Sequence, residues 1–304
     1  MIRRWIPVCT AAIILIASLG SAHAARIESI TISADGLKEQ VTRWVDELSN
    51  QPSFENWKEA SIDISALGPG THGWYVNIVN GGQAVGYMIV NARSDGGFTL
   101  GEYGLGVEPM FAARPLHRSL VQLELIPSSY FKLAPADQKQ NPMFTAERLY
   151  LSPLHSVWKV TLVKQKQNKV HYFDAKTGEY LPINDSQWTA AREQSELITS
   201  DETAAELSFI QTSQTNKSFD PYERFPWLTQ APIQGELLQV LKTALNRQHK
   251  IWFSSEPYDE STRYVWPVIG YHIWDNNQMF IAVEQEGSRF IPLASLTSHG
   301  HFYN

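Results

Sequence analysis

The sequence predicts an α+β protein: a helix packed on an antiparallel sheet, followed by a smaller mixed α+β domain. Three observations carry this. Leu37, Val41, Trp44, Val45 and Leu48 recur at helical spacing, with Lys38, Glu39, Arg43, Asp46 and Glu47 on the opposite side. From Trp74 onward the apolar residues alternate with a period of two, and turn clusters separate the runs. Towards the C-terminus a second helical period, Leu237, Leu238, Leu241 and Leu245, precedes four short apolar runs.

The elements follow in order. The first helix covers 35–49 and stops before Pro52, which has no N–H to continue the ladder. Residues 61–67 alternate through Ile62 and Ile64 up to the Gly68-Pro69-Gly70 turn. Trp74, Val76 and Ile78 form a strand, Asn80-Gly81-Gly82 a hairpin turn, and 85–91 the returning strand. Asp95-Gly96-Gly97 turns the chain into a third strand at 98–103, and 120–125 and 148–151 are further apolar segments. A second hairpin joins 157–164 to 169–174 around Gln167-Asn168, and Lys176-Thr177-Gly178 turns into 179–181.

Composition then changes. Residues 184–218 are rich in Ser, Thr, Gln and Glu and poor in aromatics, with a weak helical pattern over 189–207, and read as a polar linker. That places one domain at 28–183 and a second at 219–304. Phe225-Pro226-Trp227-Leu228 anchors the second, a helix spans 235–247, strands fall at 251–253, 264–271, 279–283 and 289–291, and 293–296 begins a short last turn.

The first residues read as a secretory signal. Arg3 and Arg4 precede an uncharged apolar run from Trp5 to Leu19, and Ser21-Ala22-His23-Ala24 offers small residues where a signal peptidase cleaves. The run is shorter than the roughly 20 residues a spanning helix needs. Cleavage after Ala24 is therefore expected, with a secreted or extracytoplasmic product and no stable membrane insertion. It removes two of the 25 basic residues and none of the 31 acidic ones, taking the net charge from −6 to −8. An acidic chain without a basic cluster is a poor candidate for nucleic acid or anionic lipid, both of which demand concentrated Lys and Arg, and no nucleic-acid partner is expected. Cys9 is the only cysteine and lies in the leader, so the exported chain has no thiol nucleophile, thiolate ligand or disulfide.

Two segments resemble known families. Gly73-Trp74-Tyr75-Val76, Gly86-Tyr87-Met88-Ile89-Val90-Asn91-Ala92, Gly97-Phe98 and Leu100-Gly101-Glu102-Tyr103-Gly104 resemble the strand-turn-strand signature of streptopain-type propeptide and inhibitor domains. Trp158-Lys159-Val160 with Tyr172-Phe173-Asp174-Ala175-Lys176-Thr177-Gly178-Glu179-Tyr180-Leu181 resembles a PepSY-type module. Such modules accompany secreted peptidases, and the resemblance implies a secreted peptidase or another protein as partner. More faintly, the C-terminal part resembles the back half of bacteriocin-processing-type, papain-like peptidases, with Tyr264-Val265-Trp266-Pro267-Val268-Ile269-Gly270-Tyr271 on the strand that carries the family's histidine. Tyr264 stands in the place of that histidine and no cysteine remains, so the resemblance implies a non-catalytic descendant. It also implies Tyr264 on a central strand, facing a helix N-terminus across a cleft.

The remaining candidates are residue patterns. No Gly-x-Ser-x-Gly elbow marks a serine nucleophile, and no catalytic residue is assigned. Tyr264, Trp266, His272 and Trp274 are the candidate binding residues, expected around a pocket beside His272 and Tyr264; Tyr258 adds an aromatic nearby. His299 and His301 share a strand face and are the weak candidates for a metal, although no full ligand set is apparent. Asp174 to Glu179 lacks the alternating ligands of a calcium loop and reads as a tight turn. The carboxylate pairs Asp259-Glu260 and Glu284 with Glu286 read as surface, and no cofactor is expected. Three functional readings follow: a secreted non-catalytic protein that binds or regulates a peptidase, a cryptic exported hydrolase acting on cell wall or peptide, and an envelope module binding peptide or glycan.

Overall fold

The computed structural model describes residues 34–68, 72–130, 143–163, 168–198 and 207–304. The expected leader at 1–24 lies outside the described residues. The fold is α+β, with antiparallel sheets.

Helix α1 (Ala34–Ser49) buries Leu37, Val41, Trp44, Val45 and Leu48, the five residues of its apolar stripe. A 3-10 helix at Pro52–Trp57 then inserts Phe54 and Trp57. Both lie on β1 (Ser61–Ala66), β2 (Gly73–Asn80), β3 (Gln83–Ala92) and β4 (Phe98–Leu105), a meander in which each strand pairs with the next. Alternation decides the faces. Val76, Ile78, Met88 and Val90 meet α1, whereas Tyr75, Tyr87 and Ile89 point the other way. Each fully buried side chain of this size contributes roughly 1.5–3 kcal/mol.

The second face of the meander is covered by helix α2 (Ala113–Gln122) and a four-stranded sheet of β5 (Phe144–Ser152), β6 (His155–Leu162), β7 (Lys169–Asp174) and β8 (Tyr180–Leu181). Only the end of α2 is apolar enough to notice in sequence: it buries Leu116 and Leu120, and Pro115 sits in its first turn.

The C-terminal part contributes α3 (Asp185–Ile198), β9 (Ile210–Thr215), α4 (Pro226–Thr229), α5 (Leu237–Asn246), β10 (Ile251–Ser255), β11 (Pro257–Glu260), β12 (Tyr264–Trp274), β13 (Met279–Glu284), β14 (Ser288–Pro292), α6 (Leu293–Thr297) and β15 (Gly300–Tyr303). Its strands do not form a separate domain. The large sheet runs β1-β2-β3-β4-β14-β13-β12-β10-β15, with β9 also on β12, and the halves join where Phe290 and Arg289 of β14 pair with Tyr103 and Gly104 of β4.

The expected two domains and the linker at 184–218 are thus corrected: residues 32–304 form one compact unit. The described parts of that polar stretch hold α3 and β9. β9 was hidden because its ladder to β12 uses backbone groups, which need no apolar side chains. Leu207 anchors the stretch, buried beside Trp44 and accepting a 2.9 Å hydrogen bond from the Trp44 indole.

Gly270 makes this junction possible. It lies at a bulge in β12, at φ 156°, and a Cβ there would sit 2.1 Å from the Gln214 carbonyl oxygen of β9. Gly270→Ala must therefore push β9 away. The expected cost is about 1–3 kcal/mol in urea unfolding; an unchanged midpoint and slope contradict this account.

Candidate binding groove

At one end of the junction between the two sheets, side chains of five strands and the segment 107–114 enclose an open groove of about 440 Å3. Its floor is the face of β1 and β2 turned away from α1. Ile62 and Ile64 pack toward α1, so period two turns Asp63 and Ser65 into the groove, directly opposite Asn77 and Tyr75. One wall is the cross-strand pair Arg148 and Trp158 of β5 and β6. The other is the segment 107–114, where Phe111 packs edge-on against Trp158 (5.4 Å between ring centres) and Tyr75 (6.0 Å).

Arg148 occupies the centre. Its guanidinium carbon lies 5.1 Å from the Tyr75 ring centre and 5.7 Å from that of Trp158. Its Nη1 donates to Ser65 Oγ at 3.1 Å. Among the described residues no carboxylate lies within ion-pair distance of it. Burial lowers its pKa, while Tyr75 and Asp63 oppose that shift, and the group remains cationic. Two more polar atoms of the groove, Asn77 Oδ1 and Trp158 Nε1, are buried without a hydrogen-bond partner among the described residues. The floor also carries Asp63, and the rim pairs Glu108 with Arg114 at 3.6 Å. This arrangement presents donors and an acceptor beside aromatic walls, which is the chemistry of a binding site.

The sequence-derived binding residues lie elsewhere. Tyr264, Trp266, His272 and Trp274 all have even numbers and would share one face of a regular strand. The bulge at Gly270 reverses the alternation, so Trp266 packs with Phe253 and Leu241, whereas His272 and Trp274 enter the core beneath α1. Trp274 is fully buried and His272 nearly so, and neither lines the groove or the smaller cavity described below. His272 Nδ1 shares a 2.9 Å hydrogen bond with the Tyr103 hydroxyl among aromatic rings, and burial lowers its pKa to about 3. The Tyr264 hydroxyl donates to Asp174 Oδ2 at 3.0 Å.

Asp174 belongs to the PepSY-like turn, whose chemistry is that of a turn. Its Oδ1 accepts from the backbone N–H of Lys176 (2.8 Å), the backbone N–H of Thr177 (2.7 Å) and the Thr177 hydroxyl (3.1 Å). Gly178 has φ 69° and a Cβ there would meet the Pro115 carbonyl carbon at 2.5 Å, so the turn abuts the start of α2. Lys176 is wholly buried and donates to the carbonyls of Glu108 and Glu286, each at 2.7 Å.

Beside this turn lies a buried ion pair whose partners share no motif or spacing in sequence. Arg289 of β14 bonds Glu102 of β4 at 2.8 Å, donates to the Pro153 carbonyl at 2.8 Å and to Gln285, and covers the Trp266 ring at 5.3 Å. Tyr87 donates to Glu102 at 3.3 Å. Burial pushes the Glu102 carboxyl above the usual range, against the pull of Arg289. The tip of the β5–β6 hairpin is held from its other side by His155. Its Nε2 lies 2.7 Å from the Pro257 carbonyl, which only accepts, so Nε2 carries the proton and Nδ1 accepts from Ser152 Oγ at 3.0 Å. Burial lowers the His155 pKa to about 4. This Ser–His pair closes the two-residue loop Pro153-Leu154, and Leu154 enters the core under α5.

His299 and His301 border a smaller cavity of about 240 Å3 with Ser254, Glu256 and Arg263. His299 Nδ1 contacts Ser298 Oγ at 2.7 Å and its ring packs edge-on against His155 at 5.0 Å. Among the described residues no group of three or more His, Cys, Asp or Glu side chains is placed to hold a metal ion. The side chains of Asp259 and Glu260 lie outside the described ones. No described helix is long and apolar enough to cross a membrane. No family model, no curated protein and no solved structure matches this chain.

Proposed function

We propose that the chain is an extracytoplasmic, non-catalytic protein that binds a segment of another protein, in the manner of the propeptide and inhibitor domains its first half resembles. A single observation carries the reading. Among the described residues, the groove between the two sheets holds a guanidinium without a carboxylate, together with an unengaged acceptor and an indole donor, between three aromatic rings. Elsewhere the strongest polar constellations, Arg289 with Glu102 and His155 with Ser152, are engaged in joining parts of the chain. The compartment in this reading rests on the leader expected at 1–24.

The test is a random-peptide display screen on the full chain, counter-selected with a Trp158→Ala variant. The expected result is a family of peptides that loses at least tenfold in affinity on that variant while its circular dichroism is kept. Peptides that bind both proteins equally, or none at all, contradict the reading. So does covalent labelling by serine- or carboxylate-directed activity probes that a single Ser→Ala or Glu→Gln change removes, because that result makes the chain a hydrolase.

A further inference from the structure

We propose that the groove recognises a carboxylate on a peptide, with Arg148 as the anion anchor and Asn77 accepting the adjacent peptide N–H. The proposal rests on the binding reading above and adds the chemistry of the ligand.

The two half-buried or buried arginines of the core region show what is unusual about this one. Arg289 directs its terminal nitrogens at the Glu102 carboxylate, Gln285 and the Pro153 carbonyl. Arg148 has the same aromatic support but reaches one serine hydroxyl. Ring faces stabilise a cation without using its N–H groups. They also cover the guanidinium plane, so the approach left to a ligand is edge-on, which is how a planar carboxylate makes two parallel N–H···O bonds.

The groove's own charges select among anions. Arg114 is paired with Glu108 on the rim, Asp63 on the floor makes no ion pair with Arg148, and among the described residues no lysine lines the groove. A doubly charged phosphate would bring two negative charges to the one guanidinium without an ion pair, beside both carboxylates; a singly charged carboxylate meets that guanidinium one to one and is repelled less by Asp63 and Glu108. Asn77 Oδ1 and Trp158 Nε1 then decide what surrounds the anion. The first needs a donor and the second an acceptor, and an amide next to a carboxylate supplies both. Tyr75, Phe111 and Trp158 add apolar walls for the neighbouring carbon atoms.

Calorimetric titration of the full chain with three acetylated tripeptides tests this: trialanine as the free acid, trialanine amide, and Ala-Glu-Ala amide. The free acid is expected to bind at least tenfold tighter than trialanine amide. Recovery of that advantage by Ala-Glu-Ala amide assigns the carboxylate to a side chain as well as a C-terminus; absence of recovery assigns it to the C-terminus, and both support the proposal. Arg148→Met should erase the difference between acid and amide. Asp63→Asn leaves Arg148 in place and should tighten the acid several-fold without changing the amide, so a misfolded Arg148 variant does not shield the proposal. Equal binding of acid and amide by the unaltered chain overturns the carboxylate assignment and leaves the binding reading standing. No binding by any peptide in this set, when display-selected peptides do bind, also overturns the carboxylate assignment; no binding by either set removes both.

Discussion

Replacing Glu102 with leucine is expected to lower stability by about 3–5 kcal/mol, because it leaves the Arg289 guanidinium buried without a counter-charge. Arg289 is 1% exposed and Glu102 fully buried, so water is not at hand to take the carboxylate's place. The loss is a large share of the roughly 5–15 kcal/mol that holds a typical domain together. The double change Glu102→Leu with Arg289→Met removes both charges and should recover most of the loss, since an apolar pair of similar volume avoids the desolvation cost. Urea unfolding of the two single variants and the double variant measures this as a cycle. A double variant no more stable than Glu102→Leu contradicts the account. The position explains the size of the effect. Glu102 comes from β4, Arg289 from β14, and the Pro153 carbonyl from the hairpin tip of the second sheet, so one ion pair ties three parts of the chain.

Acid is expected to destabilise the protein well before its carboxylates titrate. His155 and His272 have native pKa values lowered to about 4 and about 3, both chiefly by burial. An unfolded chain takes up those protons near pH 6.5. Below that pH the unfolded state binds more protons than the native one, so stability falls as pH falls, by up to about 1.4 kcal/mol per unit for each histidine. The contribution is complete above about pH 6.5 and is lost progressively as pH falls, down to about pH 4 for His155 and about pH 3 for His272, the loss reaching about 3 kcal/mol per group at pH 4. Urea unfolding between pH 7.5 and 4.5 should show that slope. His272→Phe, whose site is lined by Phe54, Tyr103 and Phe290, should flatten it by about half even if it lowers stability at neutral pH. An unchanged slope in this variant rules out His272 as the source.

Local structure was legible because local rules govern it. The stripe of α1, the Gly81-Gly82 hairpin, the Asp174–Gly178 turn and the strands of the meander each depend on residues close in sequence, where period and turn chemistry act. What the sequence by itself determined is therefore the α+β class, most element positions, and which residues of β1 and β2 face away from α1.

Tertiary structure decided the rest. The pairing of β4 with β14 merges two expected domains into one sheet, through backbone bonds between residues more than 180 positions apart that leave no compositional mark. The bulge at Gly270 reverses one strand's alternation, because a single extra residue exchanges its two faces, and so it sends His272 and Trp274 into the core. The groove likewise depends on which sheet packs on which. Asp63, Asn77 and Tyr75 belong to one sheet and Arg148 and Trp158 to the other. Their side chains carry no shared spacing or motif, and only packing of the two sheets places an uncompensated guanidinium among them.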